Sequence, residues 1–214
     1  MLPQPNNSAP IIILVRPQMV ENIGATARAM MNCGLNDLRI VDPRDAWPLS
    51  ATLQERMDAS SAGAHSIFQT TKLFASVREA VGDLNMVYAS TARNRDMVKE
   101  TLTPRAATAE FHARLQSGEK IGLLFGPERT GLINDDLVCA EKLVSIPANP
   151  EFSSFNLAQS VLIIGYEWFT YAQSRLRTEG AQSSRAINYG KTRPATKDEV
   201  FHLFDHLERE LEDG

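Results

Sequence analysis

The run Ile121-Gly122-Leu123-Leu124-Phe125-Gly126-Pro127-Glu128-Arg129-Thr130-Gly131-Leu132 decides the fold class. Its first five residues form an unbroken apolar run, the pattern of a strand buried on both faces. It then breaks into Gly, Pro and Thr, residues that allow sharp turns and exposed backbone donors. The same change occurs twice more. Ile11 to Val15 is apolar and leads into Glu21-Asn22-Ile23-Gly24-Ala25-Thr26-Ala27-Arg28. Lys142 to Ile146 leads into Pro147-Ala148-Asn149-Pro150-Glu151-Phe152-Ser153-Ser154-Phe155-Asn156-Leu157. A helical pattern follows each loop. Ligand sites in open α/β sheets form at the carboxyl ends of strands, so the three loops are expected to be parts of one site.

Working outward, Asn22 to Cys33 reads as a helix rich in small residues, with Gly34 as its stop. Asp37 to Val41 reads as a strand, Ser50 to Ser60 as a helix, Ser66 to Gln69 as a short strand and Leu73 to Val81 as a helix. Asn85 to Ala89 is a strand opening into Ser90-Thr91-Ala92-Arg93, and Pro104 to Leu115 a helix with proline in its first turn. A long apolar helix runs from about Asn156 to Leu176. Strands alternate with helices, so the expected fold is α/β, a mostly parallel sheet with helices on both faces. A domain is expected over 1–177, a basic linker over 178–195 and an amphipathic helix over 196–214. Thr196-Lys197-Asp198-Glu199 has the Thr-x-x-Glu capping-box pattern. Val200, Phe204, Leu207 and Leu211 share a face of that helix and are expected to dock it. The tail reads as part of a larger appendage.

The chain has 214 residues, of which 43% are hydrophobic, enough for a substantial core. No apolar run approaches the roughly 20 residues that span a bilayer, and the polar Met1 to Pro10 does not read as a signal peptide. Two cysteines, Cys33 and Cys139, give neither a disulfide framework nor zinc spacing, so a reducing cytoplasm is expected. The net charge of −4 argues against a generic nucleic-acid binder. Its distribution says more. Arg175 to Lys197 carries six bases and one acid, whereas Asp198 to Gly214 carries seven acids and one base. The basic stretch is expected to touch RNA phosphates through Arg185, Lys191 and Arg193, with Arg93, Arg95 and Lys99 as the other candidate contacts.

Several chemistries are excluded by spacing. The loop after Phe125 has P-loop glycine spacing but continues Leu132-Ile133, without the phosphate-binding lysine and the magnesium hydroxyl. No G-x-G-x-x-G occurs. His202 and His206 lack the H-E-x-x-H glutamate and a third ligand, so no metal site is expected. Arg28 stands amid Ala25, Ala27, Ala29 and Met30 on the first helix. It reads either as a snorkelling surface arginine or as a cation beside a strand-end cleft, able to hold phosphate or a developing oxyanion.

Taken together, the three segments resemble the SPOUT superfamily of RNA methyltransferases in its TrmH branch. Asn22, Gly24, Ala25 and Arg28 match the first pattern, N-x-G-A-x-x-R. Phe125, Gly126, Glu128, Gly131 and Leu132 match the second, and Ile146, Pro147, Ser154, Asn156, Leu157 and Ala158 the third, with Phe155 replacing the usual Leu. Ala148 to Ser154 and Ser90 to Arg95 are similar to the TrmJ type, whose members methylate the ribose 2′-oxygen of the pyrimidine at anticodon-loop position 32 of tRNA.

The resemblance implies a C-terminal trefoil knot, bound S-adenosylmethionine, a tRNA substrate and a homodimer whose sites are shared between subunits. It implies a cofactor pocket of Ser90, Thr91, Ala92, Leu124, Gly126, Glu128, Ile146, Ser153, Ser154 and Phe155. Arg28, Asn22, Glu128, Ser154 and Asn156 would serve catalysis, with Glu128 ordering the knot loop and fixing Arg28, and Asn22 pinning the first loop. Three alternatives stand beside this: a catalytically silent RNA-binding or assembly module on the same fold, a 2′-O-methyltransferase for another tRNA or rRNA site, and, more distantly, a small-molecule nucleotide-binding enzyme.

Overall fold

The structure is a computed structural model that describes residues 9–92, 99–178 and 192–212, with backbone alone for 175–178. Its elements run β1 (Ile11–Val15), α1 (Val20–Asn32), β2 (Leu38–Val41), α2 (Ala51–Ser61), α3 (His65–Thr70), β3 (Lys72–Phe74), α4 (Val77–Val81) and β4 (Met86–Ser90). They continue with β5 (Thr101–Leu102), α5 (Pro104–Gln116), β6 (Ile121–Phe125), α6 (Asn134–Val138), β7 (Lys142–Val144), α7 (Leu157–Thr178) and α8 (Lys197–Glu212). The strands form one sheet in the order β3-β2-β1-β6-β4-β7-β5, and every neighbouring pair is parallel. All carboxyl ends therefore lie along one edge. The late strand β7 is inserted between β4 and β5, an order compatible with trefoil threading.

Side chains alternate across the sheet, and both faces are covered. Ile12, Leu14, Leu38 and Leu123 meet Ile23 and Met30 of α1, Phe111 of α5, and Val161 and Ile164 of α7. Ile13, Val15, Val87 and Leu124 meet Val81 of α4, Leu137 of α6 and Phe201 of α8. Each such apolar side chain contributes about 1.5–3 kcal/mol by burial. The small residues of α1 have a packing reason. A Cβ on Gly24 would run into the Met57 carbonyl oxygen and the Ser60 side chain of α2.

Two helix starts are capped by their own side chains. Thr103 Oγ1 accepts from the Ala106 N–H (3.3 Å), with Pro104 in the first turn of α5. At α8 the capping box closes in both directions: Thr196 Oγ1 accepts from the Glu199 N–H (3.3 Å) and Glu199 accepts from the Thr196 N–H (2.8 Å). Hydrogen bonds from Arg193, and then from Thr196, pull the Glu199 pKa down to about 2.

Other expectations are corrected. Ser66 to Gln69 lies within helix α3, and the strand comes later, at Lys72–Phe74, where sequence predicted the start of a helix. The two-residue β5 and the five-residue α6 were not foreseen. Helix α8 docks through Lys197 and Phe201, which are buried, and not through Phe204, Leu207 and Leu211, which are exposed. The Arg78 guanidinium lies over the Phe201 ring at 4.7 Å and pairs with Asp205 at 2.5 Å, while Lys197 pairs with Glu141. Backbone bonds from Lys197 to Leu84 (2.7 Å) and from Asp198 to Gly82 (3.0 Å) fix the tail at the amino ends of the strands. That is the end opposite the three loops. Among the described residues, no helix is long and apolar enough to cross a membrane.

Candidate active site

The three loops converge at the carboxyl ends of β1, β6 and β7, and one directed chain of hydrogen bonds joins them. It starts at α7, where the Ala158 N–H donates to Asn156 Oδ1 (2.9 Å). Asn156 is the N-cap, and Gln159 returns the bond by accepting from the Asn156 N–H (3.3 Å). Asn156 Nδ2 then donates to Asn22 Oδ1 (2.9 Å). Asn22 Nδ2 donates to Glu128 Oε1 (2.6 Å), and the Gln18 N–H donates to Glu128 Oε2 (2.9 Å). The backbone N–H of Ala158 fixes which way Asn156 points, and Asn156 in turn fixes Asn22. The far end needs an acceptor on both oxygens, which a carboxylate supplies.

The loop carrying Glu128 is closed on itself. Pro127 O accepts from the Gly131 N–H (2.9 Å), Gly131 takes φ +67°, and a Cβ on Gly126 would strike the Gly131–Leu132 backbone. Each glycine thus answers a specific need, close approach at 126 and a left-handed turn at 131.

Beside this loop lies a cavity of about 310 Å³. Phe125, Leu132, Ile146, Phe155 and Leu157 give it apolar surface, and Ser90, Thr91, Ser153, Ser154 and Ser160 bring hydroxyls. Ala92, Gly126, Pro127, Glu128, Arg129, Thr130 and Gly131 complete the lining. Nine of the ten residues expected at a pocket line this one; the exception, Leu124, is fully buried on the opposite face of β6. Sequence reasoning passed over Arg129, Thr130 and Ser160. The first two stand inside the second motif at unmatched positions, and Ser160 lies one helical turn past Asn156, so spacing could have found them.

Arg28 is exposed on α1 and has no hydrogen-bond or ion-pair partner among the described residues. It does not line the cavity. No Glu128–Arg28 bond forms within the chain; the Glu128 oxygens accept from Asn22 and Gln18 instead. Ser154 is exposed and without a protein partner among the described residues. Arg93, Arg95, Arg185 and Lys191 lie outside the described residues. Arg193 is held as a fork by Glu199. Lys99 is partly buried, which lowers its pKa, and it donates to the carbonyls of Leu137 (2.8 Å) and Ala140 near the end of α6.

Residues 9–166 match the SpoU rRNA Methylase family. The chain belongs to this family. Among SpoU methylases it is 32% identical, over 94% of its own length and 77% of the relative's, to the tRNA (cytidine/uridine/adenosine-2'-O-)-methyltransferase TrmJ of Pseudomonas aeruginosa. The crystal structure of TrmJ from Z. mobilis ZM4 superposes with a TM-score of 0.80 at 40% identity, covering 96% of this chain and 80% of that one. The SpoU methyltransferase AviRb from Streptomyces viridochromogenes, solved in complex with AdoMet, shares the fold at 19% identity and TM-score 0.57, over 81% of this chain and 61% of that one. The SpoU fold thus accounts for the parallel sheet and for loops gathered at its carboxyl edge. The TrmH-branch and TrmJ-type resemblance drawn from the motifs agrees with these matches.

Proposed function

We propose that this SpoU methylase transfers a methyl group from S-adenosylmethionine to the ribose 2′-oxygen of the pyrimidine at anticodon-loop position 32 of tRNA. The observation that carries the reading is the Glu128–Asn22–Asn156 chain of bonds, which locks three loops around one cavity at the strand ends. The donor set fits the cofactor: hydroxyls and backbone groups for adenine and ribose edges, beside an apolar wall for the ring. When bound, the cofactor supplies a methyl group activated by a sulfonium.

Ser153, Ser154 and Phe155, with Ser90, Thr91, Ala92, Gly126 and Ile146, would hold that ligand. Transfer would form a carbon–oxygen bond as the carbon–sulfur bond breaks, S-adenosylhomocysteine would leave with the electron pair of that bond, and the 2′ proton would go to water or a phosphate oxygen. Alignment of the reacting atoms supplies much of the acceleration. Guanidinium stays protonated in proteins, so Arg28 orients the ribose and stabilises charge on the oxygen instead of accepting its proton. Arg28 stands off the cavity of its own chain, and in a homodimer Arg28 of the partner subunit completes the site. The test is transfer of labelled methyl to bulk tRNA and, in parallel, to rRNA. Label in tRNA supports the reading, label in rRNA alone moves the substrate, and cofactor binding without transfer to either leaves a silent module.

A further inference from the structure

We infer that Arg129 is a phosphate clamp, which grips the backbone of the substrate RNA at the mouth of the cavity. This rests on the reading of the site as an RNA methyltransferase centre. Most described arginines hold a carboxylate, from Arg16 on Asp136 to Arg193 on Glu199. Arg129 does not. It is exposed, lines the cavity and has no hydrogen-bond or ion-pair partner among the described residues.

Its position is preorganised. Glu128, the residue before it, is pinned by Asn22 and Gln18, and the turn is closed by the bond from Gly131 to Pro127. Arg129 is therefore displayed at the tip of a closed turn, and little loop entropy is lost when it binds.

Charge chooses the ligand. Among the described residues, Arg129 is the only Lys or Arg that lines the cavity, and the only carboxylate there, Glu128, already accepts on both oxygens. S-adenosylmethionine combines a sulfonium, an ammonium and one carboxylate, so its net charge is positive and an additional cation beside it is unfavourable. A phosphodiester is anionic and matches the planar guanidinium fork. The chain carries a net charge of −4, so it needs local cations where RNA approaches. Arg129 stands at the cavity, whereas Arg193 is occupied by Glu199 at the far end of the sheet. A clamp at this place fixes the register of the target nucleotide over the cavity.

The experiment compares Arg129→Ala and Arg129→Lys with the unaltered protein. It measures tRNA binding across a salt series, S-adenosylmethionine binding by calorimetry, and the melting temperature. Arg129→Ala should weaken tRNA binding about fivefold to tenfold and reduce the slope of log affinity against log salt by about 0.7–0.9, one phosphate contact. Cofactor affinity should stay within about twofold and melting should not change, while Arg129→Lys should keep most of the salt slope. Three results overturn the inference. An Arg129→Ala protein with unaltered tRNA affinity and slope removes the clamp. Weakened cofactor binding at unaltered tRNA affinity assigns Arg129 to the cofactor's carboxylate instead. An unaltered protein that binds no tRNA overturns the RNA reading itself, and so is distinguishable from failure of the clamp alone.

Discussion

Exchanging the polarity of two side chains tests the bond chain at its most exposed logic. In Glu128→Gln, the remaining amide oxygen still accepts from the Gln18 N–H. The new amide nitrogen then faces Asn22 Nδ2, donor against donor, where the present separation is 2.6 Å. Asn22 cannot flip to relieve this, because its Oδ1 already accepts from Asn156. The Asn22 side chain is buried. A hydrogen bond to a charged group contributes about 1.5–3 kcal/mol, so Glu128→Gln should lose about 2 kcal/mol. For a domain of this size that lowers Tm by about 4–8 °C. Asn22→Asp alone sets two carboxylates against each other and should cost at least as much. The double variant, Asn22→Asp with Glu128→Gln, restores every partner. The new amide nitrogen at position 128 donates to the new carboxylate at position 22. The amide oxygen at 128 accepts from Gln18, and the carboxylate at 22 still accepts from Asn156. Its stability should return to within about 1 kcal/mol of the unaltered protein, a coupling of about 3 kcal/mol in the cycle. Thermal and urea unfolding followed by circular dichroism measures all four proteins. Additive losses in the double variant would refute the directed chain.

Other outcomes follow from the same geometry. Arg28→Ala should reduce methyl transfer by more than tenfold, over about 1.4 kcal/mol in barrier, with cofactor affinity nearly intact; retained turnover would remove its catalytic role. Gly24→Ala should destabilise by about 1–3 kcal/mol, since its Cβ meets the Met57 carbonyl of α2, and chemical unfolding reads the loss. The buried Arg39 guanidinium donates to Asp83 at 2.5 and 3.0 Å; burial opposes ionisation of Asp83, but Arg39 outweighs it and the Asp83 pKa is lowered. That stabilisation is full above the unfolded carboxylate pKa and is lost as pH falls through the lower folded value. The stability of Asp83→Asn should therefore depend less on pH below about 4, as urea midpoints across an acid series would show.

Where burial is two-sided, the pattern was legible. Ile11 to Val15 and Ile121 to Phe125 are apolar without interruption, and both are central strands. Helix starts were legible too, because Pro104 and the Thr196-x-x-Glu199 box act locally. The gathering of three loops followed from parallel topology, since it places every strand's carboxyl end on one edge. Edge elements were not legible. Lys72–Phe74 is largely exposed and is a strand only because β2 offers it a partner. Ser66 to Gln69 has no clear period, and Ile67 is its one buried residue. On α8 the apolar stripe pointed to Phe204, Leu207 and Leu211, yet the anchor is Phe201, held by Arg78 and Lys197. Cation–ring contacts of that kind leave no periodic trace. Loop composition likewise could not show that Glu128 would bind Asn22 rather than Arg28, since both are polar neighbours in the motif set.

The most direct measurement is mass-spectrometric mapping of tRNA methylated by the purified protein with S-adenosylmethionine. The account predicts one 2′-O-methyl group, on the pyrimidine at anticodon-loop position 32, and its absence with Arg28→Ala. A methyl group on a base, or on a ribose elsewhere in tRNA, would contradict it.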